Sequence, residues 1–339
     1  MNNLKRLIAA LSIDGVAVLI AFLIMCVYFT VVSPFFLTPD NIHNTLVESL
    51  FIVMLAAGMT YVIISGGFDL SVGSNIGLSA AVALFTSMNG APVVIAALAG
   101  IGTGLAFGVV NGYFIARVGL SDFIVTLATL SLGAGLLQVF TASTQLTGTS
   151  DPAFPLLTDA SIFGIPMGVV ITAAALLLLE LVLVKTPFGR SIYAAGVNSN
   201  AAYLAGVGVR SIKFYVFVIS GVVGGLAGVL LASHLNSVQP GLGSGYELQA
   251  IAACVVGGVA LSGGRGSIWR AAVGAFFLSV LSRGLQLIGV DPLWFSIVTG
   301  AAIVAAVAFD RGAQRLLQSR FTRPASTPSG SPVPTRSEV

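Results

Sequence analysis

Ten apolar runs of 14 to 25 residues, broken by short polar segments, take up most of this 339-residue chain. Each is near the roughly 20 residues a helix needs to cross a hydrocarbon core about 30 Å thick. Lipid offers no water to backbone N–H and C=O groups, so runs of this kind fold as spanning helices packed against one another. Composition agrees: 56% of the residues are hydrophobic and 8% charged, and the mean hydropathy is +1.01, far from the balance of a water-soluble domain. The chain is read as an all-α, polytopic membrane protein with about ten transmembrane helices.

The runs fall at residues 15–32, 45–64, 72–87, 92–116, 123–140, 164–184, 214–233, 248–261, 271–288 and 292–309. No small-residue cleavage pattern follows the first, which is therefore a retained helix and not a signal peptide. Those at 72–87 and 248–261 are short for a span, as interrupted helices on transporter pathways tend to be. Lysine and arginine test the count, because they collect in cytoplasmic loops. With the N-terminus inside, the inner segments hold Lys5, Arg6, Arg117, Lys185, Arg190, Arg210, Lys213, Arg265, Arg270 and the tail arginines, 14 of the 15 basic residues. The remaining one, Arg283, lies within the ninth run, and the outer loops carry Asp40, Glu48, Asp151, Asp159, Glu247 and Asp291 instead. The expected organisation is a cytoplasmic N-terminus at 1–12, a transmembrane domain at 13–310 and a cytoplasmic tail at 311–339 too poor in apolar residues to fold. The two five-helix halves would then run in opposite directions, as inverted repeats do.

One stretch departs from this hydropathy. Residues 65–79, Ser-Gly-Gly-Phe-Asp-Leu-Ser-Val-Gly-Ser-Asn-Ile-Gly-Leu-Ser, place Asp69 among glycines at or just inside a lipid boundary, where a carboxylate is expensive. Two readings stay open. In one, this is a tight cytoplasmic turn with Asp69 capping the next helix; in the other, the glycines let backbone and solute come close on a transport path.

The inner segment 185–213 is also patterned. Thr186-Pro187-Phe188-Gly189-Arg190 breaks out of the sixth run, and Asn198, a short run of helix formers ending in Tyr203-Leu204-Ala205, and Gly206 spell a small surface helix with a polar cap and a stopping glycine. It is either an interfacial linker or a knob for a cytoplasmic partner. The longest outer loop, 143–163, is a candidate docking surface or a solvated loop.

Motifs for catalysis are missing from the sequence: no phosphate-binding Gly-x-x-x-x-Gly-Lys-Ser/Thr, no His-Glu-x-x-His, no Cys-x-x-Cys. Cys26 and Cys254 both sit in apolar runs and read as packing residues. A serine hydrolase built on His234 and Ser244 is disfavoured, since the two flank one outer loop and no helix buries the serine. Neither catalysis nor a metal, a cofactor or nucleic-acid binding is expected, and the surrounding partner is membrane lipid. Polar side chains within the runs, Asn75, Ser79, Asn111, Thr126 and Thr129 among them, are of the kind that line a path for a polar solute or bond across helices.

With these motifs in hand, the chain resembles a known family. Ile64-Ser65-Gly66-Gly67-Phe68-Asp69-Leu70-Ser71-Val72-Gly73-Ser74 is similar to the Gly-Gly-Ile-Asp-Leu-Ser-Val-Gly signature of bacterial ribose- and other monosaccharide-type ABC importer permeases, distant relatives of the branched-chain amino acid permeases. Phe188-Gly189-Arg190 through Tyr193-Ala194-Ala195-Gly196-Val197-Asn198 to Ala205-Gly206-Val207 resembles the family's cytoplasmic coupling segment. Gly245-Tyr246-Glu247-Leu248-Gln249-Ala250, running on to Gly257-Gly258 and Ser262-Gly263-Gly264-Arg265-Gly266, resembles its segment around the eighth helix.

The resemblance implies a cobalamin-importer-like (type II) permease fold in a bacterial inner membrane. It also implies a second permease copy or a paralogue, a separate cytoplasmic ATPase and an extracytoplasmic sugar-binding protein. Beside it, Asp69, Ser71, Asn75, Asn111, Thr126 and Glu247 are the candidate substrate-pathway residues, and the coupling segment that the resemblance implies makes Gly189, Arg190, Asn198, Tyr203, Leu204 and Gly206 the candidate ATPase contact. Gln249 where the family often has an acid, and Ser121-Asp122 where it often has proline, leave the particular sugar open. The competing readings are a branched-chain amino acid permease of the same architecture and a proton-coupled secondary transporter using Asp69 or Arg283.

Overall fold

The computed structural model describes residues 13–291 together with 294, 297, 300 and 301. The expected tenth span falls largely outside the described residues, as do the terminal segments 1–12 and 311–339. Twelve helices occur among the described residues: α1 (Ile13–Val32), α2 (Pro39–Ile64), α3 (Val72–Met88), α4 (Val93–Tyr113, continued by a π-helical turn to Val118), α5 (Asp122–Phe140), α6 (Leu156–Asp159), α7 (Met167–Lys185), α8 (Pro187–Val197), α9 (Ser199–Leu204), α10 (Val209–Leu235), α11 (Tyr246–Val256) and α12 (Ile268–Leu287). Six of them, α2, α4 with its π turn, α5, α7, α10 and α12, are long and apolar enough to cross a membrane. The short apolar helices include α3 and α11.

Several boundaries move from their expected places for local reasons. Helix α2 starts at Pro39 and not at residue 45, because Thr38 accepts a hydrogen bond from the Asn41 N–H and proline suits the first helical position. The expected break falls at Thr186, whose backbone is extended, and Pro187 then opens a further helix that was not expected: Thr186 caps it through the Gly189 N–H, so α8 follows α7 at once. Helix α11 stops at Val256, since Gly257 lies against the backbone of Arg270 and Gly258 has φ +77°. Two small antiparallel pairs lie in the loops, β1 (Leu146–Thr147) with β4 (Ser237–Val238), and β2 (Ser161–Ile162) with β3 (Ile165–Pro166).

Alternate connections gather at opposite ends. One end, which carries the basic residues, brings together the end of α2, α8 and the α11–α12 loop: Gly264 N donates to Ile64 O at 2.8 Å, and Tyr193 Oη to Gly266 O at 2.8 Å. Burial and then the Glu180 carboxylate push the Tyr193 phenol up, so it stays a proton donor. At the other, acidic end Asp151 accepts from the Val93 N–H at the start of α4, and Asp159 pairs with His234 at 2.8 Å.

Helix α2 is the centre of the bundle, nearly all of its apolar part buried, whereas α4, α5 and α7 are exposed or half-buried along most of their length. In lipid the hydrophobic effect does not press helices together, so close packing of small residues must. Gly100, Gly104, Gly108 and Gly112 form such a stripe on α4. A Cβ on Gly104 would lie 2.3 Å from the Gly221 carbonyl of α10, so the two backbones touch.

Candidate functional site: two interrupted helices that meet inside the bundle

After α2 ends at Ile64, the chain does not turn straight into α3. Gly66 takes φ +77°, and residues 67–69, without regular secondary structure, lead to the buried Asp69 before α3 begins. Asp69 is 2% exposed. Its Oδ1 accepts from the Ser71 N–H at 3.0 Å and the Ser71 hydroxyl at 2.6 Å, and its Oδ2 from the Ser220 hydroxyl at 2.7 Å. Ser220 stands eleven residues into α10, which at 1.5 Å per residue is roughly 16 Å from the basic end of that helix. Asp69 is therefore deep, and α3 is short because its first turn forms inside the protein.

The network continues sideways. Asn111 Nδ2 on α4 donates to Ser71 Oγ at 2.8 Å, and Thr129 Oγ1 on α5 donates to Asn111 Oδ1 at 2.8 Å. Asn75 Nδ2 donates to the Gly221 carbonyl at 3.0 Å and its Oδ1 accepts from Ser79 at 3.0 Å. Thr126 Oγ1 is bonded to Asp122 O at 2.8 Å, and the Asp122 carboxylate accepts from the Phe68 N–H at 3.0 Å. Five of the six residues expected on the pathway, Asp69, Ser71, Asn75, Asn111 and Thr126, thus surround the start of α3. The sixth, Glu247, comes to the same place from the far side of the sequence.

Helix α10 ends at the acidic end, and after β4 the chain returns inward through residues 239–245 before α11 starts at Tyr246. The two returns collide. Leu242 O would be 2.2 Å from a Cβ on Gly77, Gly73 O 2.0 Å from one on Gly243, and Glu247 Oε2 2.0 Å from one on Gly73. Only glycines permit that approach, and Gly243, at φ +92°, also needs glycine for its backbone. The N-terminal ends of α3 and α11, entering from opposite ends of the bundle, therefore face one another across Gly73 and Gly243. Glu247 Oε2 is buried and has no hydrogen-bond partner among the described residues.

Away from this junction, at the basic end, an open cavity of about 330 Å³ is lined by Gly66, Ser121, Asp122, Arg210 and Lys213 among others. The expected partner contact lies apart from it. Asn198 Oδ1 accepts from the Ala201 N–H at 3.0 Å to cap α9, and Gly206, at φ +86°, ends the turn beyond it. Tyr203 is 72% and Leu204 85% exposed, and Arg190 is exposed too. Gly189 has no room for a side chain, since a Cβ would lie 1.8 Å from Leu183 O where α7 bends into α8. Ser220, the α10 partner of Asp69, was not expected, because a single serine in an apolar run carries no periodic signal. Arg283, considered for proton coupling, is engaged by Asn41 at 2.8 Å, Gln286 at 3.1 Å and Glu48 at 3.3 Å.

A helical bundle with membrane-length helices, and two short helices that begin inside it with buried polar groups at their starts, is the architecture of an integral membrane protein. The chain belongs to the family described as branched-chain amino acid transport system, permease component, whose model matches residues 41–307. It is 38% identical to a ribose import permease protein of Bacillus subtilis, covering 85% of this chain and 90% of that one. A D-allose transport system permease protein of Escherichia coli is 34% identical, covering 85% and 89%. An L-arabinose transport system permease protein of the same organism is 36% identical, covering 89% and 92%.

Proposed function

We propose that this chain is the membrane subunit of an ATP-driven importer, translocating a monosaccharide of the ribose, xylose or galactose kind. A separate cytoplasmic ATPase drives it and an extracytoplasmic binding protein delivers the sugar. Ten spans in a cobalamin-importer-like arrangement, both termini in the cytoplasm of a bacterial inner-membrane protein, and pairing with a second copy or a paralogue complete the reading. The observation that carries it is that relatives named for ribose, allose and arabinose align with 85% or more of this chain.

The junction of α3 and α11 is the substrate pathway in this reading. A sugar presents hydroxyl donors, and Glu247 Oε2 is an acceptor with capacity to spare. Asp69, Ser71, Asn75, Asn111 and Thr126 hold the facing side in place. Helices α8 and α9 form the ATPase contact, with Tyr203 and Leu204 as the apolar anchors and Arg190 and Arg210 at the rim. A physical route joins the two: a Cβ on Gly196 of α8 would lie 1.8 Å from Ile64 O, the last residue before the inward return. Movement of α8 is felt by the segment that carries Asp69.

Uptake of labelled ribose, arabinose, allose and leucine, by cells expressing this chain with its own ATPase and binding protein, tests the reading. Sugar uptake that follows ATP and resists a protonophore is expected. Leucine uptake would replace the substrate, and collapse with a protonophore at constant ATP would replace the mechanism. Leu204→Glu is expected to release the ATPase on purification and abolish uptake, since truncating a central apolar contact costs a few kcal/mol, about 2 or more, whereas the rim change Arg210→Ala should do neither.

A further inference from the structure

Strands β2 and β3 form a hairpin closed by Phe163 and Gly164 alone. Both have positive φ, 51° and 83°, the backbone of a two-residue primed turn whose first position is ordinarily Asn, Asp or Gly. Phenylalanine gains nothing locally there. Its side chain is fully exposed, at 101%, and its backbone lies in a region that bulky residues seldom adopt. A strained residue at a turn, with no contact inside its own fold, points to use outside it. Ile162 and Ile165 beside it are exposed as well, and no lysine or arginine occurs between residues 118 and 184.

The place of the hairpin says what covers it. Met167 opens α7 directly after β3, and the 19 residues of α7 are roughly 28 Å long, close to the thickness of the hydrocarbon core. The hairpin therefore stands where acyl chains give way to headgroups. Helix α7 is peripheral, with Val170, Leu177, Leu178 and Leu181 exposed, so the tip adjoins a lipid-facing helix and not the central junction. At that depth an apolar side chain such as Phe can bury at the headgroup–acyl boundary, and a charge is disfavoured. We infer that Phe163 is an interfacial anchor: its ring seats in the phospholipid headgroup boundary at the acidic end, with Ile162 and Ile165 beside it, and fixes the height of α7, the helix that leads into α8 and α9.

The test uses the full chain in phosphatidylcholine vesicles, with Trp269→Phe and Trp294→Phe removing both native tryptophans and Phe163→Trp supplying one at the tip. Lipid brominated near the top of the acyl chain is expected to quench its emission about twofold and aqueous iodide to quench less. Quenching by iodide equal to or stronger than that by lipid puts the tip in water and overturns the anchor. Quenching by neither means that a protein surface, a second copy included, covers the tip, and overturns it as well. Should the tryptophan-free chain fold poorly, a fluorophore on Phe163→Cys in the otherwise unchanged protein reads the same two quenchers with the same outcomes.

Discussion

At the start of α3 the carboxylate of Asp69 accepts three hydrogen bonds, two from Ser71 and one from Ser220. At the start of α11, on the other side of the same junction, Glu247 keeps a buried oxygen that nothing among the described residues engages. Both acids follow a glycine-bearing inward return, and both sit by a helix N-terminus, where negative charge is favoured. The difference lies in their neighbours. Asp69 faces hydroxyl groups on its own return and on α10, whereas Glu247 faces the bare backbone of Gly73. A carboxylate with its lone pairs in use holds helices together; one with spare capacity can take a hydrogen-bond donor that arrives later. The junction thus divides into a fixed side and an available side.

The close approach itself is the first thing to break. Gly243→Ala would force a Cβ to within 2.0 Å of Gly73 O at a backbone of φ +92°, and the two returns would have to separate. We expect a loss of more than about 3 kcal/mol, seen as failure to recover folded protein by size exclusion in detergent. Gly245→Ala is the control. Its φ is +87° but nothing lies within 4 Å of a Cβ there, so only the backbone cost of about 1–2 kcal/mol applies. If the two variants are equally stable, the contact does not hold the junction.

Next in size is the fixed side. Asp69→Ala leaves the buried hydroxyls of Ser71 and Ser220 without their acceptor, and each buried group left unpaired costs about 1–3 kcal/mol. Ser220→Ala removes one donor and leaves the two bonds from Ser71, so it should cost about 1 kcal/mol. Melting temperatures in detergent should fall in that order. An Asp69→Ala protein as stable as the parent would mean that Asp69 is as available as Glu247, and the comparison would fail.

How far this arrangement was legible beforehand differs between fold and site. Hydropathy and the one-sided basic charge located the runs that became α2, α4, α5, α7, α10 and α12, because burial in lipid acts on every residue of a span. Asn198 and Gly206 announced α9 through capping chemistry that is local in sequence. Hydropathy reports where a run stops, not where the chain goes next, so the depth of residues 67–69 and 239–245 was hidden. Asp69 was expected at or just inside a lipid boundary, and the structure buries it deeper, against Ser220 of α10. The break before Pro187 was legible because proline disfavours a helical residue ahead of it, but that it also opens α8 was not. The meeting of Gly73 with Gly243 pairs residues 170 positions apart, and only the fold brings such residues together.

The available side gives the smallest effect on stability and the sharpest test. Glu247 Oε2 has no partner to lose, so Glu247→Gln removes only a charge near the first turn of α11, worth about 0.3–1 kcal/mol. The melting temperature should barely move. Transport is another matter if a sugar hydroxyl donates to that oxygen during passage, because an amide is a weaker acceptor than a carboxylate and offers its NH₂ group where an acceptor is wanted. Loss of one such charged hydrogen bond, about 1.5–3 kcal/mol, corresponds to a fall of roughly ten- to a hundredfold in uptake at low sugar concentration. Glu247→Asp keeps the charge one methylene short and should fall between the two. Two results would refute the division. Normal uptake by Glu247→Gln would take this oxygen off the path, and a melting temperature lowered as far as that of Asp69→Ala would make Glu247 a second structural acid, leaving the junction with no available side.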